Sequence, residues 1–367
     1  MKTELYTEDS AFSILKNHWG SLIDKSSSNE IFLTWQWQNT WWRHFGKDKA
    51  LRIMAFRQEK GALIGLASFS VESFPGGKRV MRFLGGTDVT DYLDIIARAG
   101  YEEDVCKNTV DFWRYTEDEW DFIDLHCLKE SSIALNVLKQ FLEENKYYTE
   151  ISVEDVCPRV SLPPSWGEYL ESLDKKDRHE LRRKVRRVER VSQSGNGYSI
   201  EDSNSVTDDI EQFLLLHRKS DVQKEGFMDK EMEVFFQDIA NILFTENWLK
   251  LSFLQIDGTC MASSMCFDYQ NKLYLYNSGY DPEYSYLSPG IVLMAHLIRE
   301  AIESGRSEFD FLRGEEPYKY HLGAKDSSIY RMVISKESDK ELTLEDETHM
   351  PQRDTKDKEN VFARSSP

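Results

Sequence analysis

The stretch from Leu249 to Leu312 constrains the fold more than any other part of the chain. "LKLSFLQIDGTCMASSMCFDYQNKLYLYNSGY" (249–280) alternates in three runs joined by Asp-Gly and Gln-Asn turns, the pattern of a meander of three strands. "SPGIVLMAHLIREAIESG" (288–305) then changes to the helical period. Ile291, Met294, Ala295, Ile298 and Ile302 form its stripe, Ser288 suits the cap, Pro289 the first helical position and Gly305 the stop. The apolar run "EFDFL" follows as another strand. A strand, a helix of about four turns and a strand make a crossover, which sets two strands parallel and leaves a ligand crevice at their carboxyl ends. "FLRGEEPYKYHLGAKD" (311–326) lies just beyond such an end.

The remaining sequence extends this theme to a second module. "WQWQNTWWRHF" (35–45) predicts a helix with Trp35, Trp42 and Phe45 on one side and Thr34 as N-cap. Residues 51–74 predict a hairpin turning at Lys60 and Gly61, "KRVMRFLGG" and "WDFIDLHCL" further strands, and "SSIALNVLKQFLEEN" a helix behind a serine cap. Pro163 and Pro164 disfavour regular structure before a new helical pattern at Trp166. The expected division is therefore 1–160 and 161–336. From 337 to 367 the chain is rich in charge and poor in apolar residues, and a disordered tail is expected.

Charge and cysteine content narrow the function. The 367 residues carry 46 Lys plus Arg against 64 Asp plus Glu, a net −18, so the chain repels nucleic acid and anionic membranes unless a local patch reverses the sign. Such a patch exists: "KKDRHELRRKVRRVER" (175–190) has nine Lys or Arg and three acids, with Leu181, Val185 and Val188 as its apolar stripe. It fits either a phosphate-binding face or a solvated face paired with acids. Five cysteines without a CxxC pair suggest neither a disulfide framework nor a zinc site. The absence of an apolar leader or spanning run gives the expectation of a cytoplasmic protein with no membrane span.

Three further constellations carry chemistry. The helix start "YLSPGIVL" (286–293) offers unpaired N–H groups and the positive end of a helix dipole to an anion, and equally reads as a well-capped core helix. "GTDVTDYLDII" (86–96) gathers Asp88, Asp91 and Asp94, suited to a cation or amine or to turn capping. His321, among Glu315, Glu316, Tyr318 and Tyr320, is the histidine placed for proton transfer. No GxSxG elbow or phosphate-loop motif occurs.

"FLTWQWQNTWWRHFG", "LGGTDVTDYLDII", the basic run, "LSPGIVLMAHLIREAI" and "FDFLRGEEPYKYHLGA", in that order, resemble the CelD-like branch of the GNAT acyltransferases, which is similar to the Fem-type aminoacyltransferases. The resemblance implies an α/β (α+β) chain of two tandem GNAT-like modules, each a mixed, mostly antiparallel sheet flanked by helices. It implies a donor site in the second module, with Leu287, Ser288, Pro289, Gly290 and Ile291 at the pyrophosphate of acyl-CoA as co-substrate and no metal; the usual glycine-rich turn is replaced by "YSYLSPG".

For the transfer, an amine must lose a proton and the leaving thiolate gain one. Asp268, Glu315 and Glu316 are the candidate bases and Tyr318 the candidate acid, while Arg313 and Lys319 are placed as holders of phosphate or an anionic acceptor. The acceptor expected is a small amine or sugar, and the resemblance to the CelD-like branch implies a precursor of a cell-surface polysaccharide. Two alternatives stand beside this: an aminoacyl-tRNA-dependent transferase, tRNA being the one nucleic acid admitted, and a non-catalytic binding module.

Overall fold

The computed structural model describes residues 1–192 and 198–336, so the expected tail lies outside the described residues. The chain divides into two compact units: Met1–Asp155 with the segment returning from Ser328, and Val156–Ser327. Among the described residues no helix is long and apolar enough to cross a membrane.

In chain order the first unit contains β1 (Lys2–Tyr6), α1 (Ser10–Ile23), α2 (Trp35–Phe45), β2 (Ala50–Arg57), β3 (Leu63–Ser73), β4 (Arg79–Phe83), β5 (Ile96–Ala97), α3 (Glu102–Tyr115), β6 (Phe122–Lys129), α4 (Lys139–Glu144) and β7 (Tyr148–Val156). Thr34 caps α2 as predicted, its Oγ1 accepting from the Trp37 N–H at 3.3 Å. The buried side of α2 is Trp37, Trp41 and Trp42, not the predicted stripe of Trp35, Trp42 and Phe45. The hairpin forms between β2 and β3, and Gly61 takes φ +86°, a conformation that favours glycine.

The second unit contains β8 (Arg159–Ser161), α5 (Trp166–Ser172), α6 (Lys175–Ser192), β9 (Tyr198–Asp202), α7 (Val206–Ser220), α8 (Val222–Phe227), α9 (Lys230–Thr245), β10 (Leu249–Ile256), β11 (Thr259–Tyr269), β12 (Lys272–Tyr280), α10 (Pro289–Glu303), β13 (Glu308–Asp310) and α11 (Pro317–His321). Its sheet runs in the order β8-β13-β12-β11-β10-β9. The neighbours pair antiparallel except β12 with β13, the parallel pair that the crossover through α10 requires. Val292, Leu293, Leu297, Ile298 and Ile302 of α10 are buried with Leu273 and Leu275 of β12 and with Leu181 and Val188 of α6, so one hydrophobic core lies beneath α10 and α6.

The last strand, β14 (Ser328–Ser335), does not stay with the module to which the sequence assigns it. It enters the first sheet between β6 and β7, giving the order β1-β2-β3-β4-β6-β14-β7, with β5 beside β3. Besides buried Ile329, Met332 and Ile334, a buried charge network ties it there. Asp124 on β6, fully buried, accepts from Arg331 of β14 at 2.7 Å and 3.1 Å and from Arg82 of β4 at 3.2 Å. His126 Nε2 lies 2.9 Å from the same carboxylate, and His126 Nδ1 lies 3.0 Å from Glu154 of β7. A buried carboxylate persists only when its oxygens are satisfied, and β14 supplies one of the partners. Both units are mixed α/β, with sheets dominated by antiparallel pairs and flanked by helices.

Candidate functional site

The parallel pair in the second unit is short. β12 and β13 are in register only at Lys272–Glu308, Leu273–Phe309 and Tyr274–Asp310. Just beyond, the pairing of β12 with β11 slips between Met265–Asn277 and Cys266–Leu275, so Tyr276 is an extra residue on β12. Such a bulge bends its strand and ends regular pairing. From Leu275 to Tyr280 no described strand pairs with β12 on its β13 side, although Lys224 Nζ takes the Ser278 carbonyl at 2.6 Å; an edge without a neighbouring strand is the kind that pairs with an extended ligand.

The chain leaves β12 through a turn at 282–287 and enters α10 at Ser288, which takes φ +54°. Its side chain does not cap, contrary to the sequence expectation. Pro289 has no N–H, and the N–H groups of Gly290 and Ile291 find no backbone acceptor among the described residues. A side chain at Gly290 would meet nothing closer than Tyr280 Cδ1 at 4.0 Å, so there is room beside the first turn of the helix. Two N–H groups at the positive end of a helix of 15 residues, beside the end of β12, suit an anionic ligand.

On the other side, β13 leads into the segment singled out by sequence. Leu312 takes φ +55°, costly for a branched side chain, with its N–H held by buried Asp310 at 2.8 Å. Gly314 takes φ +110°. The bend is closed by Lys319, 2 % exposed, whose Nζ donates to the carbonyls of Leu312 (3.1 Å), Arg313 (2.9 Å) and Gly314 (2.9 Å) and lies 2.9 Å from Glu316 Oε2. An ammonium has three N–H donors, and these contacts use them all. Lys319 is thus a keystone of the loop and not the phosphate holder that the sequence suggested.

The other sequence candidates separate. Glu315 is exposed, whereas Glu316 is half-buried and bound to Lys319. Tyr318 packs edge-on against Phe311, ring centroids 6.0 Å apart, and burial followed by the Glu316 charge pushes its phenol well above the ordinary value. Arg313 is half-buried in the same bend. Asp268 does not join them. It pairs with Leu273 near the β11–β12 turn, and its carboxylate binds Arg306 Nη2 at 2.7 Å, just past the far end of α10. The 15-residue helix puts that end about 21 Å from Ser288, out of reach of any reaction there.

Sequence reasoning missed the helix that joins the two sides. Asp177, near the start of α6, lies 2.9 Å from His321 Nδ1 of α11, so His321 serves as a tether. Ten residues on, about 15 Å along the helix, Arg187 donates to the Tyr286 carbonyl in the turn before α10. The basic run carried a charge signal but none that pointed to these partners. Of the acidic cluster in the first unit, Asp94 accepts from Ser28 and from the N–H groups of Ile95 (2.8 Å), Ile133 (2.7 Å) and Ala134 (3.0 Å). That is the turn-capping role, and burial pushes its carboxyl up to about 6.

The family model described as "Acetyltransferase (GNAT) domain" matches residues 175–320, the stretch that holds α6, the open strand edge, α10 and the Lys319 loop. No curated protein matches the chain in sequence. Among solved structures, FemX is similar with a TM-score of 0.62 at 11% identity, over 90% of this chain and 97% of that one. A conserved protein of unknown function from Bacteroides thetaiotaomicron gives 0.58 at 12%, over 91% and 100%, and L-PGS from Bacillus licheniformis 0.54 at 11%, over 88% and 92%. At such identities the likeness is one of fold. Residues 175–320, all within the second unit, thus match the model of a GNAT acetyltransferase domain.

Proposed function

We propose that the chain is an N-acyltransferase of the CelD-like branch that moves an acetyl group from acetyl-CoA to the amine of a sugar or of a cell-surface polysaccharide precursor. The observation that carries this reading is the pair of N–H groups at Gly290 and Ile291 with no acceptor among the described residues, beside the part of β12 that no described strand pairs on its β13 side, within the stretch matched by the GNAT domain. Leu287, Ser288, Pro289, Gly290 and Ile291 then hold the pyrophosphate at the helix end, and amide groups of the donor's arm pair with the edge from Leu275 to Tyr280. The acceptor class rests on the resemblance of the sequence motifs.

In this reading the amine attacks the acyl carbonyl, the carbon–sulfur bond breaks, and two protons must move. Tyr318, held protonated by burial and by Glu316, gives one to the departing sulfur. Glu315, exposed at the rim, takes the amine's proton directly or through water. Glu316 is engaged by Lys319 and orients the loop, and Arg313 faces the acceptor's anionic group. The test is thermal stabilisation by CoA and acetyl-CoA, followed by release of free thiol with amino-sugar acceptors. Stabilisation together with thiol release supports the enzyme; stabilisation alone leaves a binding module, and no stabilisation by any CoA species refutes the reading.

A further inference from the structure

The outward face of α6 plays no part in that chemistry, yet its composition is extreme. With about 100° of rotation per residue, buried Leu181 and Val188 mark the inward direction, and Lys175, Lys176, Arg182, Arg183, Arg186 and Arg190 fall within an arc of about 120° on the opposite side. All six are exposed, as is His179 among them. No acid falls inside the arc. Glu180, at one edge, takes Arg183 at 2.7 Å, Asp177 is turned to His321, and Glu189 lies past the other edge. Lys175, Lys176, Arg182, Arg186 and Arg190 have no side-chain hydrogen bond or ion pair among the described residues. At the end of the face Arg187 grips the turn that displays Tyr286, 59% exposed.

We propose that this face, with Tyr286 at its edge, docks on an anionic lipid bilayer. Its charge runs about 22 Å along the helix, on a chain of net −18. Acids on remote surfaces lie beyond the screening length of about 8 Å at physiological salt, so the near field is that of the patch. A basic residue near an anionic bilayer contributes on the order of 1 kcal/mol, which makes six a sufficient reversible anchor. The shape favours lipid over nucleic acid. The face is convex, it lacks the interleaved aromatics on which bases stack, and its one neighbouring tyrosine stands at the periphery, as interfacial tyrosines do. Because α6 is bound to α11 and to the turn before α10, docking sets the candidate crevice at the lipid surface, within reach of a lipid-carried acceptor. That consequence rests on the proposed activity; the docking itself does not.

The full chain is sedimented with vesicles of phosphatidylcholine alone and with about 30 mol% phosphatidylglycerol, at about 0.1 M and about 0.5 M salt. Binding is expected only to the anionic vesicles at low salt, and the triple variant R182E/R186E/R190E is expected to lose about 100-fold in affinity. These side chains hold nothing in the fold, so its circular dichroism and melting should match the wild type. Absence of binding to anionic vesicles, or wild-type binding by the triple variant, overturns the proposal. So does steeply salt-dependent binding of an RNA homopolymer without vesicle binding, because the face is then a nucleic-acid surface. Thiol release measured in solution on the same variant is expected to be unchanged, which separates failure of docking from failure of the acyltransferase reading.

Discussion

Replacing Lys319 by Met tests the assignment on which the geometry of the site depends. The substitution nearly conserves volume but removes three donors, leaving the carbonyls of Leu312, Arg313 and Gly314 and the Glu316 carboxylate without their common partner. A buried acceptor left unsatisfied costs about 1–3 kcal/mol, and breaking one side of a buried ion pair about 3–5 kcal/mol. These effects share one atom and do not add, and Glu316 is partly solvated, so about 4 kcal/mol is the working figure. At about 2–4 °C per kcal/mol for a unit of this size, the melting temperature of the second unit falls by roughly 8–16 °C. Calorimetry of the full chain reads the shift, and titration with CoA on the folded fraction reads affinity. A variant that melts within about 2 °C of the wild type while losing CoA affinity would refute the reasoning, because Lys319 would then face the ligand and not the loop.

Other consequences follow from the same geometry. Gly290→Asp adds a carboxylate at the helix start where there is room for it; stability should rise by about 0.3–1 kcal/mol while CoA affinity falls at least about tenfold, and calorimetry with titration reads both. Asp268→Asn should leave turnover intact and cost under about 1 kcal/mol, since the pair with Arg306 is one-third exposed; a large loss of kcat would restore Asp268 as base. Tyr318→Phe should lower kcat by about 100-fold with little change in KM, and an unchanged kcat removes it as the acid. In the first unit, burial alone would lower the His126 pKa, but Asp124 and Glu154 outweigh it and raise it. The stabilisation it brings is therefore full below the unfolded value of 6.5 and is lost as pH rises through the raised pKa. Urea midpoints measured from pH 6 upward should fall more steeply in the wild type than in His126→Gln.

What could be read in advance depended on how local the determining interaction was. The β10–β12 meander, the crossover through α10 and the Thr34 cap are written in periods and caps that span a few residues, and they stand where the sequence puts them. The place of β14 was not legible. Its partner Asp124 is 207 residues away, and an alternating run does not name the sheet it will join. The same limit explains the site. Composition could mark 311–326 as dense in charge, but it could not tell a lysine that binds phosphate from one that binds carbonyls, because both need only a cation. The deciding facts are backbone angles: with Leu312 at φ +55° and Gly314 at φ +110°, successive carbonyls can converge on one point, and Lys319 fills it. A charged residue beside a strained loop is therefore first a candidate for holding that strain. The proposed ligand role then passes to groups with no acceptor among the described residues, here the N–H groups of Gly290 and Ile291.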